Sequence, residues 1–409
     1  MTQLAEEVQS LQKPNRKDLN YLLVYTFVMV TGFTMLMPLV AVHFVNNVGM
    51  TATIVGLALA VRQITQQGLT VIGGLLSDKF GIKPILCFGV LLRALGFAAL
   101  AWSQSPLFLF LALIIAALGG ALFEAPYQAA IAVLTKSHER QQYYLLSNFV
   151  GGIASTTGPL LGMLLLQFNF TTVCLGAAAC FLINYLIATF LMPQLDAQVH
   201  HKESASEHPI RQVFNNKYFV LFIGFMTGYW FTAMQINISF PLWAEKITGN
   251  LESVSVMYAL SAALTVVFQY PLVKWLEKLF NTQQILFLGV LVMSLSTALI
   301  AFVSRFFEFL ICVGCFTLGV LLTRPTQQTL TAALADKSAI GTFMGFSSIG
   351  LAIGGGLGNF IGGYLFDVAV SLQLPELPWL IFGGVGLLSG ISMLIVINYA
   401  ESANALQQS

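Results

Sequence analysis

The sequence predicts an all-α membrane protein of twelve transmembrane helices in two pseudo-symmetric six-helix halves. Three observations lead there: a composition too apolar for a soluble chain, long apolar runs between short polar breaks, and a second half that repeats features of the first. Of the 409 residues, 57% are apolar and only 9% are Asp, Glu, Lys or Arg, where ordinary soluble domains carry about 25%. Too few charges remain to coat a water-facing surface, and a mean hydropathy of +0.81 excludes a soluble enzyme or a disordered chain. A net charge of +1 provides no basic face for a nucleic acid. Runs such as 107–122 do not alternate as the strands of a membrane barrel would, which leaves helices as the structure that satisfies every backbone polar group in hydrocarbon.

A helix needs about 20 apolar residues to cross the bilayer. Residues 1–18 are polar and read as a cytoplasmic tail, and the apolar run after them is too long for a cleavable signal. The N-terminal half, 19–192, holds spans near 19–44, 52–76, 84–102, 106–134, 141–167 and 171–192. Residues 193–217, with His200, His201, Lys202, Glu203, Glu207 and His208, read as a flexible cytoplasmic linker. The histidine pair has no spaced third ligand, so no metal site is assigned. The C-terminal half, 218–399, holds spans near 218–243, 253–276, 283–303, 305–335, 339–369 and 377–399, and 400–409 reads as a second cytoplasmic tail. The five cysteines, Cys312-x-x-Cys315 included, lie in apolar stretches and read as packing residues.

With the N-terminus in the cytoplasm, Lys13, Arg16, Lys17, Lys79, Lys83, Lys136, Arg140, Lys202, Arg211, Lys217, Lys274, Lys278 and Lys337 share that side, and only Lys246 and Arg305 face away. The positive-inside rule therefore expects both termini in the cytoplasm of a cell whose cytoplasmic (inner) membrane holds this multi-pass chain. Arg62, Arg93 and Arg324 lie within spans.

At an offset near 200, Ala125-Pro126-Tyr127-Gln128 faces Arg324-Pro325-Thr326-Gln327, Asp78-Lys79 faces Glu277-Lys278, and Gly158 and Gly162 face Gly358 and Gly362. Two parallel six-span repeats are what a transporter needs if one half rocks against the other around a central site. Glycines recur along the fifth and eleventh spans, which fits either a moving contact or ordinary close packing.

Between the second and third spans runs Gly74-Leu75-Leu76-Ser77-Asp78-Lys79-Phe80-Gly81-Ile82-Lys83-Pro84. Gly81 can take the positive φ that stops a helix, and Pro84 suits the first turn of the next. Asp78 could latch one conformation of the halves; the plain alternative is a solvated turn. This string resembles the signature loop of the major facilitator superfamily, with Ile82 where that family usually has arginine. Gly158-Pro159-Leu160-Leu161-Gly162 resembles the core of the superfamily's antiporter motif, with Ala154 and Met163 at usual glycine positions. Arg62-Gln63, Gln66-Gln67-Gly68, Leu92-Arg93-Ala94, Gly96-Phe97, Met344-Gly345-Phe346-Ser347 and Pro375-Glu376-Leu377-Pro378-Trp379 are similar to the twelve-span drug/proton antiporters within it. The resemblance implies a cytoplasmic-membrane exporter driven by protons. It also implies acids in the first and tenth spans and an arginine in the fourth, where this chain has Tyr25, Arg324 and Ile115.

An ionised side chain at membrane depth costs about 2.5–3.5 kcal/mol on insertion scales, so each one needs a partner or a task. Glu124 is the one acid clearly inside a span. Desolvation favours the neutral form of a carboxyl, which makes Glu124 the expected proton carrier; the alternative is a structural ion pair with Arg62 or Arg93. Expected cavity residues are Arg62 and Gln66 on one face of the second span, Tyr127 and Gln128 beside Glu124, Tyr229, Trp230, Gln235 and Asn237 on the seventh, and Arg324 and Gln327 on the tenth. No P-loop is present, so ATP hydrolysis is not the expected energy source; the resemblance implies the proton gradient instead, with no cofactor. The reading is a monomeric secondary transporter, in contact with lipid and exporting amphipathic small molecules. The rivals are a dedicated carrier of one metabolite, siderophore or lipid; a receptor on the same fold; and a membrane enzyme, which would need a convergent catalytic set that a lone acid does not supply.

Overall fold

The structure is a computed structural model that describes residues 16–134, 137–192, 209–334 and 340–408. The first half comprises α1 (Arg16–Val42), α2 (Ala52–Phe80), α3 (Ile82–Leu100), α4 (Pro106–Leu134), α5 (Ser137–Leu166) and α6 (Phe170–Leu191). The second comprises α7 (Lys217–Thr248), α8 (Glu252–Leu276), α9 (Thr282–Leu299), α10 (Phe306–Leu334), α11 (Ile340–Leu372) and α12 (Leu377–Gln408). Among the described residues, 11 helices are long and apolar enough to span a membrane by length and composition. The twelfth, α2, is 29 residues long, and Arg62, Gln63, Gln66 and Gln67 lower its mean hydropathy.

The two halves pack alike. In each, the first helix lies on the fifth and sixth, the second on the fourth, and the third on the fourth and sixth. The repeat glycines explain one of these contacts. A Cβ on Gly162 would sit 2.5 Å from the carbonyl oxygen of Met35 on α1, and one on Gly358 would sit 2.5 Å from that of Phe231 on α7. Bare faces let the backbones approach, so Gly158 and Gly162 serve packing inside their own half. The halves meet through other faces, α2 against α11 and α5 against α8. There Gly355 faces Gln63, Gly356 faces Ile64, and Gly152 faces Val266.

Three elements differ from the sequence reading. The seventh span extends to Thr248 and is broken by a 3-10 turn at Met234–Asn237; Tyr258 of α8 donates its hydroxyl to the Ile236 carbonyl there, meeting an acceptor the break releases. The last part of the expected linker is a short helix, Pro209–Asn215, held by Phe214 edge-on to Phe346 at 5.3 Å; 193–208 lie outside the described residues. Helix α12 continues through residues 400–408.

Candidate transport site

The polar centre of the first half is built on α2 and α4. Arg62 and Gln66 are four residues apart on α2 and so share a face. Arg62, only 6% exposed, donates from Nη2 to Gln63 Oε1 at 3.1 Å and from Nη1 to Gln66 Oε1 at 3.3 Å. Gln66 Nε2 in turn donates to Glu124 Oε2 at 3.3 Å. A chain Glu124–Gln66–Arg62–Gln63 results, and Gln63 packs on Gly355 of the other half, with its Cγ 3.4 Å from where a Cβ would stand. The ion pair weighed as the alternative is replaced by a hydrogen bond through an amide, because Gln66 stands between carboxylate and guanidinium. Tyr127 is buried, stacked on Tyr25 at 5.3 Å and hydrogen-bonded to Thr26, which joins α4 to α1. Gln128 is exposed.

On the second half Arg324 is exposed, with its guanidinium carbon 5.7 Å from the Trp230 ring, and Trp230 meets Tyr229 edge-on at 4.9 Å. Gln327 is buried. Two expected cavity residues have other duties. Gln235 is fully buried, donates to the carbonyls of Phe231 and Gly358 at 2.9 Å each, and accepts from Ser239 at 2.7 Å. Its amide is engaged in clamping α7 to α11, so it is a fold residue. Asn237 donates to Met234 Sδ at 3.2 Å inside the break of α7.

In the loop between α2 and α3, Gly81 takes φ 91° and its N–H donates to Ser77 at 2.9 Å, ending α2. Pro84 falls in the first turn of α3. Lys83 Nζ donates to the Met192 carbonyl at 2.6 Å, tying α3 to the end of α6. Lys79 is exposed beside Phe80, and a Cβ on Gly74 would come into van der Waals range of Ala125 on α4, at 3.7 Å. The Asp78 side chain lies outside the described residues.

Sequence reasoning missed the contacts that close one end. Asp367 of α11 accepts from the N–H groups of Ala52 and Thr53 at 3.1 and 2.7 Å and from the Thr53 hydroxyl at 2.5 Å, capping α2 from the opposite half. A carboxylate at a helix N-terminus meets unsatisfied N–H groups and a favourable dipole. Asn46 donates to Glu245 at 2.6 Å across the same divide. Both acids sit near span ends, where a search for charges at mid-membrane does not look. A cleft of about 420 Å³, lined by Asn46, Gln167, Glu245 and Glu252 among others, lies at this end and apart from Glu124. Gln128 and Arg324, on repeat-related helices toward the opposite end, stay accessible.

Two matched six-helix halves, joined across α2–α11 and α5–α8 beside a polar chain buried at Arg62 and Gln63 and half-buried at Gln66 and Glu124, define a transporter of the alternating-access kind. The chain belongs to the major facilitator superfamily, whose sequence profile matches residues 22–249 and 226–408. Its relatives include the multidrug resistance protein MdtH of Yersinia enterocolitica, 35% identical over 386 residues (94% of this chain, 96% of that protein). MdtH of Yersinia pestis strain Pestoides F is 37% identical over 369 residues, covering 90% of this chain and 92% of its own. Two solved structures share the fold. The nucleoside transporter NupG has a TM-score of 0.76 at 14% identity, covering 93% of this chain and 98% of its own; a peptide transporter POT in complex with sulfate has 0.77 at 15%, covering 94% of each chain.

Proposed function

We propose that this chain exports amphipathic drugs across the cytoplasmic membrane in exchange for protons, with both termini in the cytoplasm and Glu124 as the proton carrier. The observation that carries this reading is the chain from Glu124 through Gln66 to Arg62 and Gln63. An ionised Glu124 accepts from the Gln66 amide. Protonation removes the charge and adds an O–H donor, so the bond from the Gln66 amide weakens and Gln66 Oε1 becomes a competing acceptor for that O–H, at the expense of its bond from Arg62. Gln63, bonded to Arg62, lies against Gly355, so the event at Glu124 reaches the surface on which the halves move. A ligand or proton shifts such an equilibrium only by its differential affinity for the two states, and this relay supplies a difference.

The multidrug resistance proteins to which the chain is 35–37% identical support a drug as the substrate. The aromatic pair Tyr229–Trp230 beside the exposed Arg324 suits an amphipathic ligand. With the termini in the cytoplasm, the end closed by Asp367 and Glu245 faces outward, and the accessible side is the one from which an exporter loads. No cofactor takes part; protons, lipid and the drug are the partners of a monomer. The test is flux in oriented proteoliposomes under an imposed pH gradient. Wild-type protein should concentrate ethidium against its gradient, and Glu124→Gln should not, while retaining downhill exchange. Concentrative transport by Glu124→Gln would return that residue to a structural role.

A further inference from the structure

Arg93 is the most deeply placed charge that the relay does not use. It sits mid-way along α3 and is 4% exposed. Its guanidinium carbon lies 5.0 Å from the ring of Phe33, 5.2 Å from Phe123, 5.4 Å from Phe181 and 5.5 Å from Phe97. Those rings come from α1, α4, α6 and α3 itself, so the cation is walled by four helices of one half. Its Nε is buried without a hydrogen-bond partner, and among the described residues no carboxylate pairs with it. Aromatic faces attract a cation through their quadrupoles, yet they carry no countercharge.

The open side of the cage points at the relay. A Cβ on Gly120 would lie 2.5 Å from Arg93 Nη1, 2.8 Å from Gln66 Cδ and 3.0 Å from Gln66 Oε1. Gly120 and Glu124 are one turn apart on the same face of α4, so the bare position at Gly120 is the window through which Arg93 reaches the Gln66 amide and the field at Glu124. The charged or titratable groups that Arg93 senses are Arg62 on α2, Glu124 on α4 and Tyr25 on α1, and Tyr25 in turn meets Tyr127 on α4 and Cys87 on α3.

We propose that Arg93 is a positioning residue for proton exchange: a fixed positive charge, held in a phenylalanine cage, that stabilises ionised Glu124 and so sets the pH at which it loads. This inference rests on Glu124 being the proton carrier. An arginine does not titrate in the physiological range, so its field is constant through the cycle. In a medium of low polarity that field is weakly screened. The cage supplies the dry surroundings and fixes the planar group without neutralising it, which an ion pair would do.

The test follows the protonated-carboxyl stretch of Glu124 by infrared difference spectroscopy on purified full-length protein over a full pH titration. The band is assigned by its loss in Glu124→Gln. R93M should move the midpoint up by about one pH unit, roughly a tenfold gain in proton affinity, the low end for losing a nearby opposite charge. R93K should return it most of the way. An unchanged midpoint in folded R93M, or equal midpoints in R93M and R93K, would overturn the inference and leave Arg93 a packing residue. R93Q repeats the measurement if R93M does not accumulate; failure of both to fold while R93K folds would equally show a structural role. A titrating band that survives in Glu124→Gln refutes the proton-carrier reading itself, a result distinct from a failure confined to Arg93.

Discussion

At the scale of single residues, the polar relay depends on an absence. Gly120 leaves room for Arg93 and Gln66 to converge one turn from Glu124. Gly120→Ala should therefore cut gradient-driven ethidium flux severalfold. The atoms it displaces are the ends of flexible side chains, so the loss of stability in a thermal-shift assay should stay at or below about 1–3 kcal/mol, the usual cost of overpacking. Glu124, Arg62 and Gln66 were legible in the sequence because an ionisable or amide group in an apolar run stands out. That Gln66 would stand between the acid and the arginine was not legible, since it depends on the lateral packing of α2 on α4. Gln235 misled for a similar reason: an amide in a span signals a polar contact, and here the contact is with the carbonyls of its own helix and of α11.

At the scale of helices, the glycine stripes carry two different duties that spacing alone does not separate. On α11, Gly354, Gly358 and Gly362 face α7 of the same half, Gly356 and Gly363 face α2 of the other, and Gly355 meets both Met234 of α7 and Gln63 of α2. Gly162→Ala would press a methyl into the backbone of α1, which cannot swing away, and should lower stability by about 1–3 kcal/mol. Gly151→Ala, with nothing within 4 Å, should be neutral or stabilising by up to about 1 kcal/mol through helix propensity; thermal melts of the two variants in one detergent check the contrast. The cap that Asp367 places on α2 belongs to the same scale. Asp367→Ala removes three accepted hydrogen bonds and should favour opening at that end. In a cysteine-free background, a cysteine at Thr51 should then react several times faster with a membrane-impermeant thiol reagent added outside. Helix order and extent were readable from hydropathy; the break in α7 was not, because the apolar residues on both sides of Met234–Asn237 carry the span through it, and the 3-10 turn with its contact to Tyr258 appears only in the packed structure.

At the scale of the whole molecule, the repeat was legible as motifs at a fixed offset and reappears as the same packing pattern in both halves. Which end is closed was not legible, because it is set by pairs such as Asn46–Glu245 that lie 199 residues apart. The charge bias of the polar segments implies that a reporter fused after Ser409 is active only in the cytoplasm; activity only outside would invert the assignment of the closed end. The central claim is that binding of drug and proton oppose each other through Glu124, and linkage makes that reciprocal: what a proton does to drug affinity, the drug does to proton affinity. The direct measurement is proton release on adding ethidium to purified protein in weakly buffered detergent near neutral pH. Wild-type protein should release up to one proton per drug bound, and Glu124→Gln should bind the dye and release none. Equal release from both proteins, or binding with no release from either across the titration range, would contradict the account.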